Sequence, residues 1–330
     1  MACMHDAAQP LVEDRAPGLG SWLTAPVDAV GLVAFRVAFG TLMAGQSLKF
    51  MFNADTHWLA PRLLFPYEGF EWVRPWPGVG LHVHCALMAL AAAGVASRVA
   101  PRVCSAVFGL LFAYTVLLDP THYNNHYYLI VLLSGLLAWM STGGAAPRWH
   151  VVLLQAQLLL VYTFAGVAKL NPDWLAGEPM RHWLGERAAG SSSWLPVAIC
   201  WAGAAFDLSI APLLVWRRTR PLALVAAAGF HLTNAFLFDI GVFPWLMLGS
   251  LALWAPPEVV RRLVRAPLPT APPVVTSSRE TLHLTLAGLY LLVQVVLPLR
   301  HWLYPGDVAW SEEGHRFAWR MKLRLSLIHI

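Results

Sequence analysis

Nine apolar stretches leave this chain few ways to fold. They fall at roughly 28–48, 79–97, 101–118, 125–142, 151–170, 195–216, 221–238, 241–255 and 282–300. Several approach the ~20 residues that a helix needs to cross a bilayer. Only 12% of the residues are charged, against about 25% in an ordinary soluble domain. The expectation is an all-α fold: a polytopic integral membrane helical bundle of about nine transmembrane helices. The eighth stretch is the weakest, being short and carrying Pro244.

The loops set an orientation. Arg98 and Arg102 lie between the second and third stretches, and Arg148 between the fourth and fifth. Arg217, Arg218 and Arg220 lie between the sixth and seventh. Arg261, Arg262, Arg265 and Arg279 lie between the eighth and ninth. Every second loop is therefore basic, and the loops between them are acidic or balanced. The positive-inside rule places the N-terminus in the cytoplasm and the C-terminus outside. Basic cytoplasmic loops account for the net charge of +5, so no nucleic-acid partner is needed. The 16 tryptophans suit interfacial belts. Cys3, Cys85, Cys104 and Cys200 show no C-x-x-C spacing, and no metal site is expected. Segment 1–26 is polar with no signal-peptide pattern and reads as cytoplasmic. The loop 50–77 should lie over the outer surface, and the Pro-rich 266–278 reads as a cytoplasmic linker.

Against this apolar background a few polar residues stand out. Lys169 comes near the end of an apolar run, just before Asn171-Pro172. Pro172 disfavours helix at Asn171, so the helix should stop there. Lys169 then sits at the outer membrane boundary. The plain reading is a snorkelling lysine; the other is a desolvated amine able to act as a base. Asn125 and His126 open the fourth stretch, where a helix cap is the plain alternative. His231 and Asn234 are three apart in the seventh and share a helical face, where gluing helices is the alternative. Arg36, in the first stretch, reads as structural, paired with an acid or with carbonyls. By the loop-charge orientation, Lys169, His126 and His231 all fall in the outer half. An amine and two imidazoles in a partly dry pocket suit proton abstraction from a weak acid. An apolar pocket open to lipid suits a lipophilic substrate such as a quinol.

Several stretches together resemble one family. They are FRVAFGTLM (35–43), YNNHYYL (123–129), AGVAKLNPDWLAG (165–177), FDLSIAPLL (206–214), FHLTNAFLFDIGVFPWLML (230–248) and LYPGDVAWSEEGHRFAWRMKLR (303–324). The chain resembles the vitamin K-dependent gamma-glutamyl carboxylases and their bacterial relatives with a horizontally transferred transmembrane (HTTM) domain. The resemblance implies an integral membrane enzyme, in a bacterial inner membrane, with an outward active site. It implies reduced vitamin K or a related hydroquinone as cofactor, with O2 and CO2 as co-substrates. Lys169 matches the family's catalytic base. Asn125 and His126 match a motif that helps hold the hydroquinone, and His231 and Asn234 match another polar pair of the pocket. The implied partners are a lipophilic quinone, membrane lipid and a glutamate-containing peptide or protein. The implied activity couples conversion of hydroquinone to epoxide with carboxylation of peptide glutamate. A quinol epoxidase without carboxylation, or a non-enzymatic transporter or scaffold, are the alternatives. A transporter would be expected to show inverted repeats, which the sequence does not display. The expected organisation is a cytoplasmic segment 1–26, the HTTM domain 27–303, and the start of an extracytoplasmic region at 304–330. Eukaryotic members continue into a large lumenal part that grips a propeptide. Two readings of the end at Ile330 stay open: a truncated reading frame, or a protein without that docking part.

Overall fold

The computed structural model describes residues 18–60, 64–184, 194–264 and 279–320. The expected linker at 266–278 and residues 1–17 of the N-terminal segment lie outside the described residues. Each of the nine apolar stretches forms a helix. In chain order the elements are α1 (Leu19–Thr24), β1 (Pro26–Asp28), α2 (Val30–Phe52), α3 (Gly80–Ala96), α4 (Pro101–Leu117) and α5 (Asn125–Trp139). Then follow β2 (Ala145–Pro147), α6 (Arg148–Ala168), α7 (Pro172–Leu175), α8 (Glu178–Leu184) and α9 (Leu195–Val215). The chain continues with α10 (Arg220–Leu237), α11 (Phe243–Ser250), α12 (Pro257–Val264), α13 (Glu280–Leu299) and α14 (Val308–Ser311).

Four of these are long and apolar enough to cross a membrane: Val30–Phe52, Arg148–Ala168, Leu195–Val215 and Glu280–Leu303, the last counted with its 3-10 extension. Gly80–Ala96, Pro101–Leu117 and Asn125–Trp139 are apolar but shorter. At ~1.5 Å per residue they fall below the ~30 Å of a hydrocarbon core. The eighth stretch departs furthest from a plain span. Its helix covers Phe243–Ser250, with a 3-10 turn at Leu251–Leu253. Residues 238–242 before it are unwound and line an internal cavity. Non-helical backbone at membrane depth is tolerated where it lines a cavity. The fold also adds a small non-helical piece to the expected all-α bundle. β1 and β2 pair antiparallel, with Val27 opposite Ala146.

That ladder closes the basic end. Asp28 forms an ion pair with Arg261 of α12, and Arg148 donates to the Trp22 carbonyl at 2.9 Å. Arg36 is fully enclosed and donates through one Nη to the carbonyls of Leu137, Met140 and Ser141 at 2.9–3.1 Å. A cation at helix-terminal carbonyls complements the α5 dipole. Arg36 is therefore a clamp on carbonyls, one of the two structural roles its sequence context allows. The loop after α2 is not merely draped over a surface: Trp58 and Val73 are buried, and Trp76 stacks on Tyr114 of α4.

The core runs between α2, α4 and α5 as a ladder of rings. Phe39 meets Phe108 edge-on at 5.9 Å, and Phe50 stacks on Phe112 at 5.9 Å. α2 and α3 cross in close contact at Gly40, which has no side chain to hold them apart. A Cβ there would stand 2.5 Å from the Ala96 nitrogen and 2.6 Å from the Ala92 carbonyl oxygen. Small residues permit such backbone approach between membrane helices. Five residues on, Gly45 faces open space, and a Cβ would meet nothing within 4 Å. Gly40→Ala should therefore lose ~1–3 kcal/mol by overpacking. Gly45→Ala should be neutral or gain up to ~1 kcal/mol from helix propensity. Thermal unfolding of the two variants in detergent checks this, and equal midpoints would refute the assigned crossing.

Candidate active site

The site is set where α6 ends. Asn171 has extended backbone, as the residue before a proline should. Its side chain works in both directions, donating to the Ala168 carbonyl at 2.8 Å and accepting from Trp174 N at 2.9 Å. One asparagine thus stops α6 and starts α7. Lys169 is left as the C-cap of α6, with its Nζ 5.1 Å from the Trp174 ring centre. The indole is fixed in turn, since Trp174 Nε1 donates to the Cys200 carbonyl at 2.8 Å.

Lys169 does not snorkel to water: it is 7% exposed. Its Nζ donates to the Asp207 carboxylate in a direct ion pair. Asp207 is the only Asp, Glu, Lys or Arg in α9, and it is 4% exposed. The pair exists because α6 and α9 come very close at Gly166, where a Cβ would lie 3.0 Å from Leu208 N and 2.9 Å from its side chain. The sequence reading assigns no role to Asp207, although an acid in an apolar span is a functional signal by default.

Lys169 and Asp207 line a cavity of about 860 Å³ together with Asn125, His126, His231 and Asn234. All five sequence-predicted site residues thus fall in one cavity, although they come from three separate helical regions. Its histidine side is organised by Tyr162, two turns before Lys169 on α6. Tyr162 Oη and His231 Nε2 are 2.6 Å apart. With the phenol donating, the neutral imidazole carries its proton on Nδ1. That nitrogen is buried and has no hydrogen-bond partner among the described residues. Phe243 lies between the two imidazoles, with ring centres 5.9 Å from His126 and 6.2 Å from His231.

Asn125 is not a helix cap. The N-cap position belongs to Asn124, which makes no side-chain cap bond. Asn125 instead holds the non-helical C-terminal segment 312–320, the strap: its Nδ2 donates to the Arg320 carbonyl at 2.6 Å. Its Oδ1 accepts from the Tyr123 hydroxyl at 2.8 Å, and that hydroxyl accepts from Phe317 N at 2.7 Å. His315, Trp319 and Arg320 of this strap line the cavity. Phe317 and Trp319 have left-handed backbone, a costly state for large side chains that the surrounding contacts must hold.

An ammonium and carboxylate buried together stabilise little against an apolar replacement, but either one alone is costly. Asp207→Ala should lower stability by ~3–5 kcal/mol. The double variant Lys169→Met with Asp207→Leu should recover most of that loss. Chemical or thermal unfolding in detergent checks the ordering, and a double variant as unstable as the single one would refute the pairing.

Residues 24–258 match the family model described as HTTM domain. Residues 279–330 match that of the vitamin K-dependent gamma-carboxylase, lumenal domain. No solved structure matches the chain. The first match covers well over half of the sequence and contains every cavity residue named above except those of the strap, which the second match contains. The chain therefore belongs to the HTTM and vitamin K-dependent gamma-carboxylase family.

Proposed function

We propose that this protein is an integral-membrane gamma-glutamyl carboxylase-like enzyme that couples oxygenation of a reduced quinone, from hydroquinone to epoxide, to carboxylation of peptide glutamate. The observation that carries this reading is the amine–carboxylate pair in an apolar cavity that also holds two imidazoles. The cavity's volume lies within the ~300–1,000 Å³ of small-molecule pockets. Its apolar walls fit a lipophilic ring system, and His231 Nδ1, without a partner among the described residues, supplies a polar anchor for an oxygen atom. When bound, the hydroquinone supplies with O2 the basicity that a side chain lacks, enough to take a γ-proton of glutamate so that CO2 adds there.

The chain's own residues then have definite tasks. As an ion pair, Lys169 cannot accept a proton. Transfer from Nζ to the carboxylate oxygen that it already touches gives a neutral amine beside a neutral acid. No net charge crosses the cavity in that step, and the low-dielectric surroundings favour uncharged partners. The neutral amine can then take the proton of a hydroquinone hydroxyl. Trp174 offers its ring face to the ammonium that forms. His231, oriented by Tyr162, and His126 hold the head group, with Asn234 beside them. Asn125 acts through the strap that roofs the cavity. Epoxide formation without carboxylated peptide would narrow the function to a quinol epoxidase, since the carboxylation half rests on the lumenal-domain match.

Lys169→Arg tests the base. Arginine keeps the charge and the pairing to Asp207 but does not deprotonate in proteins. The variant should fold and insert, while epoxide formation falls by ~10²–10⁴-fold, the usual share of a general base. Wild-type-like epoxide formation, measured by mass spectrometry with reduced naphthoquinone and O2, would exclude Lys169 as the base.

We further propose nine crossings, the N-terminus in the cytoplasm and the cavity towards the extracytoplasmic side. The alternating arginines support this, as does the strap, which packs at the cavity end of the bundle. Single cysteines introduced as Arg218→Cys and Asp173→Cys, in a background without other cysteines, should react with an impermeant maleimide from opposite sides. Labelling from the same side would refute the crossing number.

A further inference from the structure

The basic end of α9 borders a hollow that the candidate active site does not share. Gly166 of α6 packs against Leu208 of α9. Seven residues further towards the basic end, the same two helices bring Leu159 and Val215 to one place. A groove of about 690 Å³ opens there. Leu159, Ala211, Pro212 and Val215 form its trough, and Trp216, Arg217 and Arg218 form its rim. No side chain of the trough carries a polar group. Pro212, Val215 and Trp216 are exposed, so the groove lies on the outside of the bundle.

Basic residues after a helix C-terminus commonly bond its last carbonyls. At α9 other residues fill that role. Thr219 Oγ1 donates to the Leu213 carbonyl at 2.8 Å. Arg220 donates through Nε to the Leu214 carbonyl at 2.9 Å and through Nη2 to the Val215 carbonyl at 3.1 Å. Arg217 and Arg218 are exposed and make no hydrogen bond or ion pair among the described residues. Three guanidinium groups therefore stand within four residues, and none is paired with a carboxylate among the described residues. Like charges so close repel one another, and a bound anion offsets that repulsion.

The rim and the trough call for different halves of one ligand. A guanidinium fork matches phosphate oxygens bidentately. A trough without polar groups suits a hydrocarbon chain, and basic pockets between membrane helices bind anionic head groups. We infer that this groove binds one anionic phospholipid. Its phosphate sits on Arg217 and Arg218, and one acyl chain runs along Leu159, Ala211, Pro212 and Val215. Trp216 stands between them, at the level of the glycerol esters. Leu159 and Lys169 are ten residues apart on α6, ~15 Å along its axis. The lipid thus braces the two helices that carry the Lys169–Asp207 pair without reaching it. The inference stands apart from the reaction proposed above.

The test is lipid binding to the whole protein in detergent, read by native mass spectrometry. Phosphatidylglycerol and phosphatidylcholine with the same dioleoyl chains are titrated separately, and the wild type should prefer the first. Arg217→Gln combined with Arg218→Gln should weaken phosphatidylglycerol binding about thirtyfold, the usual worth of two cationic groups near an anionic surface. Phosphatidylcholine binding should stay unchanged. Arg98→Gln combined with Arg262→Gln removes equal charge elsewhere at the basic end, and this variant should keep the tight site. Dihexanoyl phosphatidylglycerol keeps the head group with little chain. It should bind the wild type about tenfold or more weakly, equivalent to some two methylene groups left unburied. Phosphatidylglycerol with a diazirine in one acyl chain, photolysed on the wild type in nanodiscs, should label Leu159 or the 211–216 segment. Equal losses in the two double variants would reduce the effect to net charge and overturn the site. Equal binding of short and long chains would leave only a phosphate site and overturn the groove, as would labelling confined to other helices.

Discussion

The ion pair of Lys169 with Asp207 is the constraint around which the cavity end of the bundle is built. Neither charge could be held there alone, since isolated ions in an apolar interior neutralise or force the structure apart. The pair needs two helices brought unusually close, and Gly166 provides that approach. It needs α6 to stop at the right residue, and Asn171 provides that stop. It needs an ordered wall beside the ammonium, and Trp174, tied to the Cys200 carbonyl, provides it. Three local features of sequence thus converge on the position of one nitrogen atom.

The two ends of the bundle divide the work. At the basic end, guanidinium groups close onto backbone: Arg36 on three carbonyls, Arg102 on Ala138, and Arg220 on Leu214 and Val215. The β1–β2 ladder and the Arg261–Asp28 pair complete that closure. At the other end the helices fray into cavity walls. The backbone at 238–242 is unwound, and the C-terminal strap is held in left-handed conformations at Phe317 and Trp319. Open volume therefore gathers where chemistry is proposed, whereas left-handed backbone occurs at both ends, at Arg98 and Ala100 in the basic loop as well as at Phe317 and Trp319.

Much of this was legible in the sequence, and the reasons for the rest are physical. Hydropathy marks where helices lie, because burying apolar side chains is a local property, and all nine stretches are helical. It does not mark how long a helix stays regular. The stretch at 241–255 reads as one span, yet its first residues serve the cavity wall and the helix begins only at Phe243. Lys169, His126 and His231 were visible as polar residues at one depth. Their partners were not, because pairing is tertiary: Lys169 and Asp207 are 38 residues apart, Tyr162 and His231 are 69, and Asn125 and Arg320 are 195. Asn125 shows the consequence. Its place beside His126 was readable, but its task of holding the strap depends on the other end of the chain.

The arrangement of Tyr162 and Lys169 on one helix links the two halves of the site. Seven residues separate them, so they project from the same face of α6 about two turns apart. One turns its hydroxyl to His231 and the other its amine to Asp207. The tyrosine side can set where a proton resides: if the phenol donates to Nε2, Nδ1 presents N–H, a donor in place before any ligand arrives. A fixed donor in a dry cavity favours an oxygen that gains negative charge, because no solvent has to reorganise around it. In the proposed reaction the lysine side would remove a proton, and the histidine side would support the charge that removal leaves behind. Loss of the Tyr162 hydroxyl would free the imidazole to place its proton on either nitrogen. The site would keep its volume and its base while losing the polarity that distinguishes a hydroxyl losing a proton from one that is merely bound.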